Sequence, residues 1–203
     1  MSKHIHSILC IGDSYTVGEG VPLHQSFPYQ LVQLLRKDGY AFHAAEIVAQ
    51  TGWTSTELGD FLIHHSLELQ YDFVTLLIGV NNQYRELNVE DFAEDFEYLL
   101  KKAISLCVEH SKQVLAISIP DWGITPFAKD RDSVKIAKEI DDFNASASLL
   151  AAKYNVAWLD ITSDYRKSGF EPEMLAGDGL HPSGIIYESW AKEIQDFVRS
   201  QIR

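Results

Sequence analysis

The chain has 203 residues, 46% hydrophobic and 23% charged. That balance fits one soluble globular domain over residues 1–203, with a core that needs no disulfide or metal staple. A net charge of −12 argues against a nucleic-acid partner, which requires a basic face, and against adsorption to an anionic membrane.

A short apolar run, Ile8 to Ile11, stops at Gly12-Asp13-Ser14, as a strand buried on both faces stops at a turn. A loop with Gly18, Gly20 and Pro22 follows, then a helix over Pro28 to Lys37 that Asp38-Gly39 ends. A strand is expected over Ala41 to Ala49, ending at Gln50-Thr51-Gly52-Trp53. Thr54-Ser55-Thr56-Glu57 reads as a capping box opening a helix to about His65. Phe73 to Ile78 is the third strand and ends at Gly79-Val80-Asn81-Asn82. Asn88 can cap the next helix, on which Val89, Phe92, Phe96, Leu99, Ala103 and Cys107 form one apolar stripe. The acidic group Glu90, Asp91, Glu94, Asp95 and Glu97 lies mainly off that stripe and reads as a solvated face. Val114 to Ile119 is a fourth strand, Ser133 to Lys153 a helix, and Val156 to Ile161 a fifth strand. A mixed segment leads to Asp178-Gly179-Leu180-His181-Pro182, and a last helix runs from Ser183 to Arg203.

Strand and helix alternate five times, which calls for a parallel sheet with helices on both faces. All strand carboxyl ends then share one edge, where ligands bind in such folds. Ser14, Gly52, Asn81, Trp122 and His181 should meet there. Cys10 and Cys107 are expected as buried free thiols. No stretch spans a bilayer, and Met1-Ser2-Lys3-His4-Ile5-His6 lacks the pattern of a secretory signal, so a cytoplasmic location is expected.

Acyl transfer needs a nucleophile, a base, a group that orients the base, and donors for an oxyanion. Ser14 can be the nucleophile, His181 the base, and Asp178 its partner if the Gly179-Leu180 turn folds the two side chains together. A serine after a strand is more often a helix cap, and an asparagine such as Asn81 more often a turn residue. The nucleophile elbow G-x-S-x-G is absent, since Thr16 holds the last glycine position. Tyr15, Trp53 and Trp122, with Phe127, are candidates to line a substrate pocket, though such aromatics equally cap a core. His4 and His6 form a near-terminal pair without cysteine or carboxylate support, so no metal site is expected.

Together, Gly12-Asp13-Ser14, Gly52, Gly79-x-Asn81 and Asp178-x-x-His181 resemble, in order, the four signature blocks of the SGNH (GDSL) hydrolases. The resemblance spans residues 12–181. It implies a flavodoxin-like three-layer α/β/α sandwich with a five-stranded parallel sheet. It also implies a serine esterase with Ser14, His181 and Asp178 as triad, and an oxyanion hole made by the Ser14 and Gly52 N–H groups and the Asn81 amide. No metal or organic cofactor is implied, and the partner is a small acyl ester. Two positions depart from the family pattern: Tyr15 replaces the usual Leu, and Asn82 the usual Asp. Two rival readings stand beside this one. The glycine-rich loop of Gly12, Gly18 and Gly20 would suit a nucleotide- or phosphate-binding domain, but it lacks the Walker spacing. An inactive relative that binds carbohydrate is the other.

Overall fold

The computed structural model describes residues 4–67 and 70–202. Met1 to Lys3 of the sequence's opening segment, and Arg203 at the expected helix end, lie outside them. Five strands form one sheet: β1 (Ile8–Gly12), β2 (Glu46–Ala49), β3 (Phe73–Leu77), β4 (Val114–Ile117) and β5 (Ala157–Leu159). Their order is β2-β1-β3-β4-β5 and every pairing is parallel. β1 and β3 are buried along their whole length because strands flank them on both sides and helices cover both faces.

The larger helices are α2 (Phe27–Lys37), α3 (Ser55–His64), α5 (Val89–Ser105), α6 (Ser133–Lys153) and α8 (Gly184–Gln201). Short helices α1 (Ser14–Val17), α4 (Val80–Tyr84) and α7 (Thr162–Ser168) fill connections that the sequence reads as turns or, for α7, as a mixed segment. α2 packs on α8, while α3, α5 and α6 pack in a row. The strand order gives the reason: the chain moves outward from β1 to β2, then back across to β3 and onward. Right-handed crossovers in opposite directions put their helices on opposite faces. Between β1 and β3 the direction reverses, and a crevice opens at the carboxyl ends.

Several expected features are present. The capping box at Thr54 and Glu57 is complete. The Asn88 side chain accepts from Glu90 N at the start of α5, and Ser183 caps α8. Cys10 and Cys107 are buried and unpaired. Several boundaries differ: β4 ends at Ile117, not Ile119, and β5 spans only Ala157–Leu159 of the expected Val156 to Ile161. The second strand begins at Glu46, not Ala41, because the chain before it touches the sheet only through a lone bridge from Phe42 to His6. Helix α5 ends at Ser105, so Cys107 lies past it, in a bridge with Tyr71. Among the described residues no helix is long and apolar enough to cross a membrane.

Candidate active site

Ser14 opens α1 directly after β1, but it does not cap that helix. Asp13 does, its Oδ1 accepting from Tyr15 N at 3.0 Å. The Ser14 hydroxyl is thereby free to face His181, whose Nε2 lies 3.0 Å from Ser14 Oγ. On the other side of the imidazole, Nδ1 lies 2.7 Å from Asp178 Oδ2. A carboxylate only accepts, so Nδ1 carries the proton and Nε2 accepts from the Ser14 hydroxyl.

The turn that folds Asp178 back onto His181 is built locally. Gly179 takes a left-handed φ of 68°. Asp178 Oδ1 accepts from Leu180 N at 2.9 Å and His181 N at 3.0 Å, which leaves Oδ2 for the ring. Partial burial pushes the Asp178 carboxyl up, but the bonds from His181 and Leu180 outweigh it and hold it below the usual carboxylate range. Around this turn, Ala176 N donates to His181 O, Ser183 N to Met174 O, and Phe127 N to Gly179 O. Gly20 packs against the same place: a Cβ there would lie 2.8 Å from Ala176 Cβ and 3.3 Å from Asp178 Oδ2. Gly20, part of the glycine-rich loop that suggests a phosphate cradle in the sequence, thus lies against the Asp178 turn.

Gly52 follows β2, and Asn81 lies in α4 after β3. Asn81 Nδ2 donates one hydrogen to Trp53 O at 2.9 Å, which orients the amide and leaves it a second hydrogen. Asn82 has a clear place. Its Oδ1 accepts from Ser55 N at 2.9 Å and its Nδ2 donates to Ser55 Oγ at 2.7 Å, and Ser55 Oγ donates to Asp95 Oδ2 at 2.8 Å. The pair clamps the start of α3, which follows the Gly52 loop, to α4. An amide serves here because it both donates and accepts; the carboxylate sits one bond further out, on Asp95, which the sequence places on a solvated helix face.

A cavity of about 200 Å³ opens beside Ser14. Tyr15 and Trp122 line it together with Gly52, Asn81, Tyr84, Phe127 and His181. Trp53 does not line it, a correction to the expected pocket. Its ring packs on Phe61 at 5.0 Å, drawn there by the adjacent apolar face of α3. The outer wall is a group of three rings, with Trp122 5.3 Å from Tyr84 and 6.1 Å from Phe127. Trp122 is fixed by its Nε1–H donating to Gln83 Oε1 at 2.6 Å. Tyr84 escaped the sequence reading, although it lies three residues past Asn81 and so on the same side of a helix once α4 is recognised. Tyr15 is buried behind the base, 5.2 Å from the His181 ring.

Residues 10–188 match the GDSL-like lipase/acylhydrolase family. The chain belongs to that family. Membership places it among the carboxylic ester hydrolases. No curated protein sequence matches it. Similar solved structures include a lipase/acylhydrolase from Enterococcus faecalis, with a TM-score of 0.77 at 21% identity over 98% of both chains. The acetylxylan esterase Axe2 from Geobacillus stearothermophilus gives 0.73 at 17%, over 95% of this chain and 94% of that one. The esterase EstA from Pseudoalteromonas gives 0.71 at 16%, over 96% and 97%. At these identities the likeness is one of fold.

Asp13 carries a separate consequence. It is fully buried, and burial raises its carboxyl from 3.8 to about 7, against the bond from Tyr15 N. Its Oδ2 has no partner among the described residues. The native carboxyl therefore keeps its proton over a range, about pH 4 to 7, where the unfolded one has released it. Native protein binds more protons there, so this group's contribution falls as pH rises and is lost above about pH 7. Asp13→Asn keeps the acceptor for Tyr15 N and removes the charge. It should stabilise the protein at pH 8 by on the order of 2–4 kcal/mol and leave it nearly unchanged at pH 4. Urea midpoints of both proteins across that range check this; equal midpoints at pH 8 would show that Asp13 is charged without cost.

Proposed function

We propose that the chain is a serine esterase that cleaves a small carboxylic ester through Ser14, His181 and Asp178 by way of an acyl-enzyme. The observation that carries this reading is the unbroken line Ser14 Oγ–His181–Asp178 at the mouth of a small apolar cavity. Ser14 Oγ attacks the acyl carbonyl while His181 Nε2 takes its proton. Asp178 keeps the imidazole in the required tautomer and stabilises the imidazolium. The oxyanion is held by the N–H groups of Ser14 and Gly52 and the second Asn81 amide hydrogen. His181 then protonates the leaving alcohol, and water, activated by the same base, releases the acid.

The cavity supports the word small. At about 200 Å³ it is below the roughly 300–1,000 Å³ of sites for larger ligands, and three aromatic rings wall its outer side. Hydrolysis of p-nitrophenyl esters from acetate to long acyl chains tests this. Turnover should be highest for the short acyl groups and fall steeply as the chain outgrows the cavity. Turnover that rises with chain length would replace the small acyl group by a lipid one. Absence of turnover on every ester would move the reading to a binding domain.

A further inference from the structure

We infer that His4, His6 and Asp72 form a binding site for a divalent transition-metal ion of the zinc type, separate from the active site. The sequence offers a His-x-His pair with no carboxylate near it; the fold supplies one. Ser7 leads into β1 and Asp72 into β3, and these strands are parallel neighbours, so residues 65 positions apart meet at their amino ends. Ser14 lies at the opposite edge, about 17 Å of strand away.

The donor atoms are placed as a metal needs them. His4 Nε2 is 2.8 Å from Asp72 Oδ1, and His6 Nδ1 is 3.5 Å from the same oxygen. All three ligand atoms lie within 4.8 Å of one another. Three donors at about 2.1 Å around a tetrahedral ion stand about 3.4 Å apart, so small side-chain shifts would seat one. His6 Nδ1 is the telling atom: it is buried and makes no hydrogen bond. A nitrogen removed from water with only a long contact to Asp72 Oδ1 and no hydrogen bond costs free energy that a metal would recover.

The surroundings hold the ligands in place. Asp72 Oδ2 accepts from Ser7 N at 2.8 Å and from Ser7 Oγ at 3.1 Å, which fixes the carboxylate and turns Oδ1 towards the histidines. His6 is pinned by its backbone, His6 N donating to Ala41 O and His43 N to His6 O. Its ring lies 5.0 Å from Phe42. His4 is the exposed ligand, with its side chain 66% exposed and its ring 4.6 Å from that of His6. On binding, His4 presents the Nε2 lone pair with its proton on Nδ1, and His6 presents Nδ1 with its proton on Nε2. Two imidazoles and one carboxylate suit zinc, nickel or cobalt better than magnesium or calcium. The ion would tie the chain entering β1 to the turn before β3, so its effect is on stability.

The test is thermal unfolding of EDTA-treated, dialysed protein with and without zinc chloride, with stoichiometry from titration calorimetry. One zinc per chain is expected, with Tm raised by about 5 °C at a hundredfold excess over Kd. His4→Gln, at an exposed position that leaves the fold intact, should remove the shift, as should Asp72→Asn, which keeps an acceptor for Ser7 N. No zinc-dependent shift in the unaltered protein overturns the inference. A shift retained in either variant also overturns it, and would place the ion at other histidines, such as His64 and His65 or the His181–Asp178 pair.

Discussion

Ser14→Ala should lower kcat for ester hydrolysis by about 10⁴–10⁶, with KM little changed and the fold intact. The size follows from the absence of a substitute. With the hydroxyl gone, His181 can only activate water, and the oxyanion donors sustain a residual rate on the order of 10³ above the uncatalysed one. The fold survives because Ser14 carries no structural bond that alanine would break. Asp13, not Ser14, caps α1, and the hydrogen bond from Ser14 Oγ goes to His181. The cavity lining is otherwise unchanged, so substrate still binds. Hydrolysis of p-nitrophenyl acetate, measured beside thermal unfolding of the variant, separates the two effects. Activity retained within tenfold would remove Ser14 from the mechanism.

The same hydroxyl shows what the sequence could and could not tell. Five strand segments alternating with helical patterns are enough to read a parallel sheet, and the runs from Ile8, Phe73 and Val114, each stopped by Gly or Pro, are plainest because a strand buried on both faces leaves a nearly unbroken apolar signature. From that sheet, Ser14, Gly52, Asn81 and His181 could be assigned to one edge before any side chain was placed. Whether Ser14 was cap or candidate nucleophile depended on where Asp13 pointed, which is a matter of rotamer. Helices α1 and α4 read as turns in the sequence because four or five residues are too few to show a helical period. That cost Tyr84, whose ring walls the cavity only because α4 turns it there. Trp53 illustrates the reverse: its position after β2 suggested a pocket residue, yet its ring meets Phe61 while its carbonyl holds Asn81. The carboxylate beside His4 and His6 was invisible for a third reason. Asp72 is remote in sequence, and only the pairing of β1 with β3 brings it near.

Asp178→Asn should lower kcat by up to about 10⁴, again with KM nearly constant. The turn would keep its shape, because an asparagine carbonyl in the place of Oδ1 still accepts from Leu180 N and His181 N. What changes is the atom facing the ring. An amide NH₂ in the place of Oδ2 donates to His181 Nδ1, so the imidazole proton moves to Nε2, where it points at Ser14. A nitrogen that already bears a proton cannot accept one from the hydroxyl, and the base is lost through its tautomer rather than its position. The loss should fall at or below that upper figure. The Asp178 side chain is 38% exposed, so a water can reach the pair and support a minority of molecules with the productive tautomer. Steady-state kinetics across pH distinguish this from a collapsed turn: kcat falls while KM and thermal stability hold. A loss under tenfold would mean that a group other than Asp178 orients His181. Tyr15, whose ring lies 5.2 Å from the imidazole, would then be the residue to replace next.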